Sequence, residues 1–267
     1  MSNGVLYDAT KCIGCRGCQT ACKQWNQMPH VDTTNYGTYE NPPHLSAANF
    51  TKIRFTETED NGKFHFVFTK LQCMHCLEPA CATACPVSAL QRQENGAVTY
   101  DDRRCFGCRY CMTACPFGIP CFQWDTPTPW IRKCTFCFDR QSGGLQPACV
   151  TTCPSGALKF GDRDELIAEA HSRINAAPDK YVNQLYGENE VGGTSWMYLS
   201  PIPFEKIGFK KLQHEPVIEN VERAMGYVLP VLGGVAVLMT GIYWIAKRRE
   251  ANKTKTGKKD NGKVATK

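Results

Sequence analysis

The stretch Cys73-Met-His-Cys76-Leu-Glu-Pro-Ala-Cys81-Ala-Thr-Ala-Cys85-Pro86 is followed, after a short interval, by Cys105-Phe-Gly-Cys108-Arg-Tyr-Cys111-Met-Thr-Ala-Cys115-Pro116. In runs of this kind three thiolates on one tight loop hold three corners of a [4Fe–4S] cube, and the fourth cysteine, set before proline, reaches across to a second cube. Two such runs back to back describe one two-cluster module. Thiolates are soft, polarisable ligands that suit iron–sulfur clusters, and the two-residue spacing lets successive sulfurs converge on one centre.

Working outward, the same pattern recurs on both sides. Cys12-Ile-Gly-Cys15-Arg-Gly-Cys18-Gln-Thr-Ala-Cys22 repeats the spacing of the 105–115 group, with Lys23 where proline would stand. Cys134-Thr-Phe-Cys137 is followed by Cys149-Val-Thr-Thr-Cys153-Pro154, a group whose second gap is stretched by a loop containing Gly143-Gly144. Sixteen of the seventeen cysteines therefore fall into four groups of four. Such a count in a short secreted chain would suggest disulfides, but these spacings are those of metal ligands. Zinc sites take isolated C-x2-C pairs rather than these longer runs. Cys121, preceded by Pro120, matches no group and reads as a free buried thiol.

Four groups of four predict four [4Fe–4S] clusters, and the crossing rule pairs the groups. The second and third groups are close in sequence and form an inner module, with Cys73, Cys76 and Cys81 joined by Cys115, and Cys105, Cys108 and Cys111 joined by Cys85. By elimination Cys12, Cys15 and Cys18 take Cys153, and Cys134, Cys137 and Cys149 take Cys22. The expected fold is α+β, with two interleaved bacterial-ferredoxin-like two-cluster modules plus one C-terminal transmembrane helix. Residues 1–24 and 121–177 make the outer module. Residues 25–120 supply an inserted loop, a hairpin and the inner module.

Between the groups the pattern is ordinary. Residues 24–49 are polar and proline-rich and read as a surface loop. Phe50–Phe55 and Phe64–Phe68 alternate around Glu59-Asp60-Asn61-Gly62, a hairpin signal, with Phe64, Phe66 and Phe68 expected to share a core-packed face. Residues 89–100 turn at Asn95-Gly96 as a second hairpin. Asp162-Arg-Asp-Glu165 caps a helix with Leu166, Ile167, Ala170 and Ile174 at helical spacing, running to about Ala177. Residues 178–223 read as a connector draped over the cluster domain or a partner, with 191–198 as its one β-like piece. His75, Arg16 and Arg109, each next to a ligand, are candidates for tuning a cluster, although His75 is more simply a loop filler.

The span 225–246 carries no charge and at 1.5 Å per residue is long enough to cross the hydrocarbon core. Residues 224–246 are the expected transmembrane helix, with Tyr243 and Trp244 at interfacial depth and a stripe of small residues at Gly226, Gly233 and Thr240. Residues 247–267 carry nine Lys/Arg against two acids, a basic tail expected to be cytoplasmic and in contact with anionic membrane lipid, with its low-complexity part, 250–267, expected to be disordered. Without that tail the net charge of +6 disappears, so there is no global basic field to suggest nucleic acid. The N-terminus has neither an apolar export region nor a twin arginine. No dinucleotide fingerprint, P-loop or nucleophile triad appears.

The four cysteine groups in this order, with Gln146-Pro-Ala-Cys149-Val-Thr-Thr-Cys153-Pro154-Ser-Gly-Ala, resemble the four-cluster iron–sulfur subunits of the molybdopterin oxidoreductases. The segment Val191-Gly-Gly-Thr-Ser-Trp-Met-Tyr198 followed by one C-terminal span is similar, more narrowly, to the beta subunit of membrane-bound respiratory formate dehydrogenases. The resemblance implies a chain without substrate chemistry of its own. It implies as partners a catalytic subunit with a molybdenum/tungsten-bis-pterin cofactor and a membrane cytochrome b-type subunit that reduces quinone. It also implies export of the folded complex on a partner's twin-arginine signal, with the cluster domain periplasmic, the outer module beside the catalytic subunit and the inner one nearer the membrane. Equivalent wires of a membrane hydrogenase or of a sulfoxide or polysulfide reductase would carry the same motifs, and a membrane-tethered zinc scaffold is the rival of another class.

Overall fold

The computed structural model describes residues 2–35, 37–60, 62–124, 126 and 131–260. The chain divides into a unit spanning Met1–Ile218 and a second spanning Glu219–Lys267.

In the first unit, β1 (Asn3–Asp8) leads into the first cysteine loop and α1 (Gly17–Trp25). An irregular stretch gives way to a long hairpin, β2 (Lys52–Asp60) and β3 (Lys63–Leu71). The second group carries α2 (Ala80–Thr83), the small hairpin β4 (Leu90–Arg92) and β5 (Val98–Tyr100) follows, and the third group carries α3 (Tyr110–Ala114). A short pair, β6 (Cys121–Phe122) and β7 (Ile131–Arg132), precedes the fourth group with α4 (Phe138–Ser142) and α5 (Ala148–Thr151). The unit continues with β8 (Leu158–Asp162), α6 (Arg163–Ala176) and β9 (Trp196–Leu199).

A three-stranded sheet in the order β8-β1-β9 is the frame. β1 runs antiparallel to β8, with Val5 opposite Phe160, and parallel to β9, with Val5 opposite Trp196. Successive strand residues face opposite ways, and here both faces are covered. Leu6, Met197 and Leu199 meet Leu166, Ala170 and Ile174 of α6. Val5, Tyr7, Trp196 and Tyr198 look the other way, into a core shared with Cys18, Cys149 and Phe136. A strand buried on both sides reads as an unbroken apolar run rather than an alternation, which is how Val5-Leu6-Tyr7 and Trp196-Met197-Tyr198-Leu199 stand in the sequence.

α1 packs against α5 and β1 against β8, so the first and fourth cysteine groups meet; α2 packs against α3, so the second and third meet. Asp162 caps α6 through its side chain, accepting from the amides of Asp164 (2.9 Å) and Glu165 (3.4 Å). The β4–β5 turn at Asn95-Gly96 forms as the sequence predicts.

Three expectations need correction. The β2–β3 hairpin is in register with Phe55 opposite Phe68, but Phe64 and Phe66 are 66% and 41% exposed. Ile53 and Val67 are in the core and Phe55 and Phe68 pack against it, whereas Phe64 and Phe66, nearer the tip, do not. The segment after α6 is not a draped connector throughout, because Trp196–Leu199 is a fully buried strand of the central sheet. Nor is residue 250 onward wholly irregular. In the second unit a single helix, α7 (Ile218–Asp260), contains Pro230 and continues through residues 250–260, while 261–267 lie outside the described residues. Within it Gly226–Arg249 is long and apolar enough to cross a membrane, with a mean hydropathy of 2.0.

Candidate metal centres

Each group opens with a Cys-x-x-Cys loop whose third residue has a positive φ: Gly14 (66°), His75 (50°), Gly107 (80°) and Phe136 (58°). This left-handed step turns the chain sharply and aims the following backbone amides inward, a concavity suited to anionic ligands. Arg16 and Arg109 repeat the conformation at the head of α1 and α3. The third cysteine of each group then lies on a short helix, in α1, α2, α3 or α5. The fourth follows four residues on: Cys22 still lies within α1, whereas Cys85, Cys115 and Cys153 stand just past the ends of α2, α3 and α5.

The thiols gather across groups. Cys22, Cys134, Cys137 and Cys149 line one largely enclosed cavity, and Cys85, Cys105, Cys108 and Cys111 line another. Cys76 is surrounded by Cys73, Cys115 and Cys81. Cys12 faces Cys153 and Cys15, and Cys18 lies within electrostatic reach of Cys12 and Cys15. Neighbouring quartets come within electrostatic reach of each other: Cys18 with Cys149 and Cys22, Cys134 with Cys73, and Cys81 with Cys111. None of the seventeen cysteines is in a disulfide. Cys121, half-buried, points its thiol at the Ile119 carbonyl (3.3 Å) and stands apart from all four quartets.

Burial dominates the thiol chemistry. It pushes Cys18, Cys22 and Cys81 up to about 12 and Cys111 and Cys137 to about 11, so these groups become thiolates only against a compensating positive charge. Iron supplies such a charge, and a metal-bound thiol is deprotonated outright. The donor set fits: the cysteine-lined cavities contain no carboxylate and no imidazole, which is the soft environment that selects iron–sulfur clusters. Among the described residues no three Cys, His, Asp or Glu side chains are set to hold a single ion, as a zinc site requires. Sulfurs spread round a cavity suit a larger inorganic unit.

The residues flanking the ligands divide. Arg16 stacks on Phe55 (4.8 Å), and Arg109 stacks on Phe122 and Trp124 (5.0 Å each). His75 is buried and stacked on Phe136 (4.9 Å between ring centres). The Val98 amide donates to its Nδ1 (2.9 Å), which leaves the ring proton on Nε2, a buried atom without a protein partner. Burial, reinforced by Lys133 and Lys70, holds this imidazole neutral, well below the usual histidine range.

Sequence reasoning missed two buried lysines. Lys133 donates to the Cys134 carbonyl (3.1 Å) and also to that of Val98. Lys70 lines the cavity of Cys22, Cys134, Cys137 and Cys149. Burial alone would depress the Lys70 ammonium, but Cys149, Cys18, Cys134 and Cys22 outweigh it and raise the group above its ordinary range. The only cue in the sequence is that Lys70 stands three residues ahead of Cys73.

Thiol quartets on left-handed loops, closed by cysteines from a partner group, define an iron–sulfur protein of the two-cluster ferredoxin class. Two families, each described as 4Fe-4S dicluster domain, match the chain, one at residues 11–89 and the other at 64–163. The nitrate-inducible formate dehydrogenase iron–sulfur subunit of Escherichia coli K12 is 41% identical over 197 residues, 73% of this chain and 66% of the relative. Hydrogenase-2 operon protein HybA of Escherichia coli O157:H7 is 36% identical over 280 residues, 89% of this chain and 84% of the relative. A protein of Nitratidesulfovibrio vulgaris Hildenborough is 44% identical over 253 residues, covering 93% and 68%. The chain belongs to the formate dehydrogenase-type iron–sulfur subunits, an electron-transfer family rather than a catalytic one. It spans a little under two thirds of the formate dehydrogenase relatives it matches, 66% and 65% of the two from Escherichia coli K12.

Proposed function

We propose that the chain binds four [4Fe–4S] clusters in two interleaved modules and passes single electrons between a molybdenum/tungsten-bis-pterin catalytic subunit, a formate dehydrogenase, and a membrane cytochrome b-type subunit. Each cluster, when bound, accepts and releases one electron without a change of ligands. The thiol pattern carries the reading: four quartets, each completed by a cysteine from another group. The cavities they line and the thiols within electrostatic reach of one another support the order Cys12/Cys15/Cys18/Cys153, then Cys134/Cys137/Cys149/Cys22, then Cys73/Cys76/Cys81/Cys115, then Cys105/Cys108/Cys111/Cys85. That order is a single file with two ends, the topology of a wire. The protein's part is to hold sulfurs at its corners and to keep water from the middle of the row.

Residues 226–249 anchor the chain in the cytoplasmic membrane. The excess of Lys/Arg after the span supports a cytoplasmic C-terminus and a periplasmic cluster unit. A second reading, the wire of a membrane hydrogenase, is favoured by the fuller match to the hydrogenase-2 operon protein, which extends over 89% of this chain.

Anaerobic purification from membranes in mild detergent tests the whole. The expected product is brown, bleaches with dithionite, holds about sixteen iron atoms per chain, and brings a large pterin-containing subunit with it. Peptide identification of that subunit separates formate dehydrogenase from hydrogenase. A colourless, zinc-loaded chain would overturn the reading.

A further inference from the structure

The Lys70 ammonium is buried, with only 1% of the residue exposed. It donates to Thr51 Oγ1 (2.7 Å) and Gln72 Oε1 (3.0 Å), and lies 4.6 Å from the centre of the Trp196 ring. Each partner is committed to accepting. Thr51 spends its hydroxyl proton on the Leu71 carbonyl (3.0 Å), and Gln72 donates an amide proton to the Tyr198 hydroxyl (2.5 Å), which leaves its Oε1 turned to Lys70. Tyr198 in turn donates to the Lys70 carbonyl (3.0 Å). Two acceptors and the face of the Trp196 ring surround the nitrogen, an arrangement that suits an ammonium better than a neutral amine, whose lone pair would face the ring. Yet among the described residues no carboxylate forms an ion pair with it.

A buried ammonium without a counter-charge is strongly disfavoured, so the surroundings must supply negative charge. The nearest sources are Cys149, Cys18, Cys134 and Cys22. Three of these belong to the quartet whose cavity Lys70 lines, and the fourth belongs to the adjoining quartet. Lys70 thus stands at the joint between the first two stations of the row.

We propose that Lys70 is a positioning residue that sets the reduction potential of the cluster at Cys22, Cys134, Cys137 and Cys149, stabilising its reduced form by charge. The inference rests on the four-cluster reading. Reduction there adds one electron, arriving from an adjoining cluster, and takes up no proton, because Lys70 keeps its own. The added negative charge is attracted to the ammonium, so the reduced state gains more from it than the oxidised state does. An opposite charge at close range moves a protonation equilibrium by one to three decades, and the same field acts on an electron.

The test is a potentiometric titration followed by electron paramagnetic resonance on the full chain in its complex, comparing Lys70→Met, Lys70→Arg and the parent. Iron content and the signal altered by Cys137→Ser first establish that the parent cluster is present; their absence would defeat the four-cluster reading itself. With the cluster present, Lys70→Met is expected to lower its reduced-to-oxidised ratio at the parent midpoint about tenfold or more, which is 59 mV for one electron. Lys70→Arg, which keeps the charge, is expected to stay near the parent. Loss of this one cluster in Lys70→Met but not in Lys70→Arg supports the same dependence on charge. An unshifted potential in Lys70→Met, or loss of the cluster in both variants, overturns the proposal, since packing alone would then account for the lysine.

Discussion

Gly14, His75, Gly107 and Phe136 occupy the same place in their four loops and the same left-handed backbone region, but only two of them are glycine. A Cβ in that region costs about 1–2 kcal/mol, so the cost at His75 and Phe136 must be met by packing, and the two rings stack on each other inside the core. The sequence announced the glycines and concealed the other two, because nothing local distinguishes a strained His or Phe from a relaxed one. At Gly107 an added methyl would meet Phe122 at 3.6 Å, an ordinary contact. Gly107→Ala is therefore expected to cost only the backbone strain, about 1–2 kcal/mol. Gly187, also left-handed at φ +97°, is different, since its methyl would run into the Trp196 carbonyl and the Thr194 hydroxyl. Gly187→Ala is expected to lose on the order of 4 kcal/mol, in the range reserved for clashes with backbone. Anoxic denaturant titration of both variants checks the contrast; equal losses would mean that the Trp196 carbonyl yields freely.

Among the elements, α6 was the most legible, and its cap is where the sequence argument is most exposed to test. Asp162 satisfies two of the helix's unpaired amides, and Asp162→Ala is expected to cost about 1 kcal/mol. In a chain of this size that is a fall of about 2–4 °C in Tm, readable by calorimetry on anaerobic protein, and an unchanged Tm would show that water replaces the cap. The hairpin at Asn95-Gly96 and the grouping of the cysteines were equally visible, because turn chemistry and ligand spacing are local; the short helices that carry the third cysteine of each group were not. β1 and β9 were not. Each is short and buried on both faces, so neither shows alternation, and their pairing joins residues near 5 to residues near 196, a distance along the chain that no window detects. The outward Phe64 and Phe66 misled for the opposite reason: alternation revealed a face but not how far beyond the core the hairpin would carry it.

At the scale of the whole molecule, the buried clusters of the first unit divide by whether they contain ligands. One joins Cys81 and Cys111 to Leu90, Val98 and Ile131, another joins Cys22, Cys73 and Cys134 to Phe50, and the largest includes Cys18 and Cys149. The layer between α6 and the sheet, with Leu6, Leu166, Ala170, Ile174, Tyr181, Leu185, Met197 and Leu199, contains no cysteine. Burial of this kind stabilises by roughly 25 cal/mol per Å² of apolar surface whatever the metal does. The cysteine-bearing segments, built on very short helices and on loops, have little apolar surface of their own to order them. Binding free energy at such sites is folding free energy. Stripping the iron with chelator under anoxic conditions should therefore unfold the molecule unevenly. Amides of residues 73–115 are expected to exchange about tenfold faster or more, while those of α6 keep most of their protection. Hydrogen exchange read by mass spectrometry distinguishes the outcomes. If α6 opened at the same rate as the 73–115 segment, the α6 layer would be no independent support, and the whole unit would stand or fall with its metal.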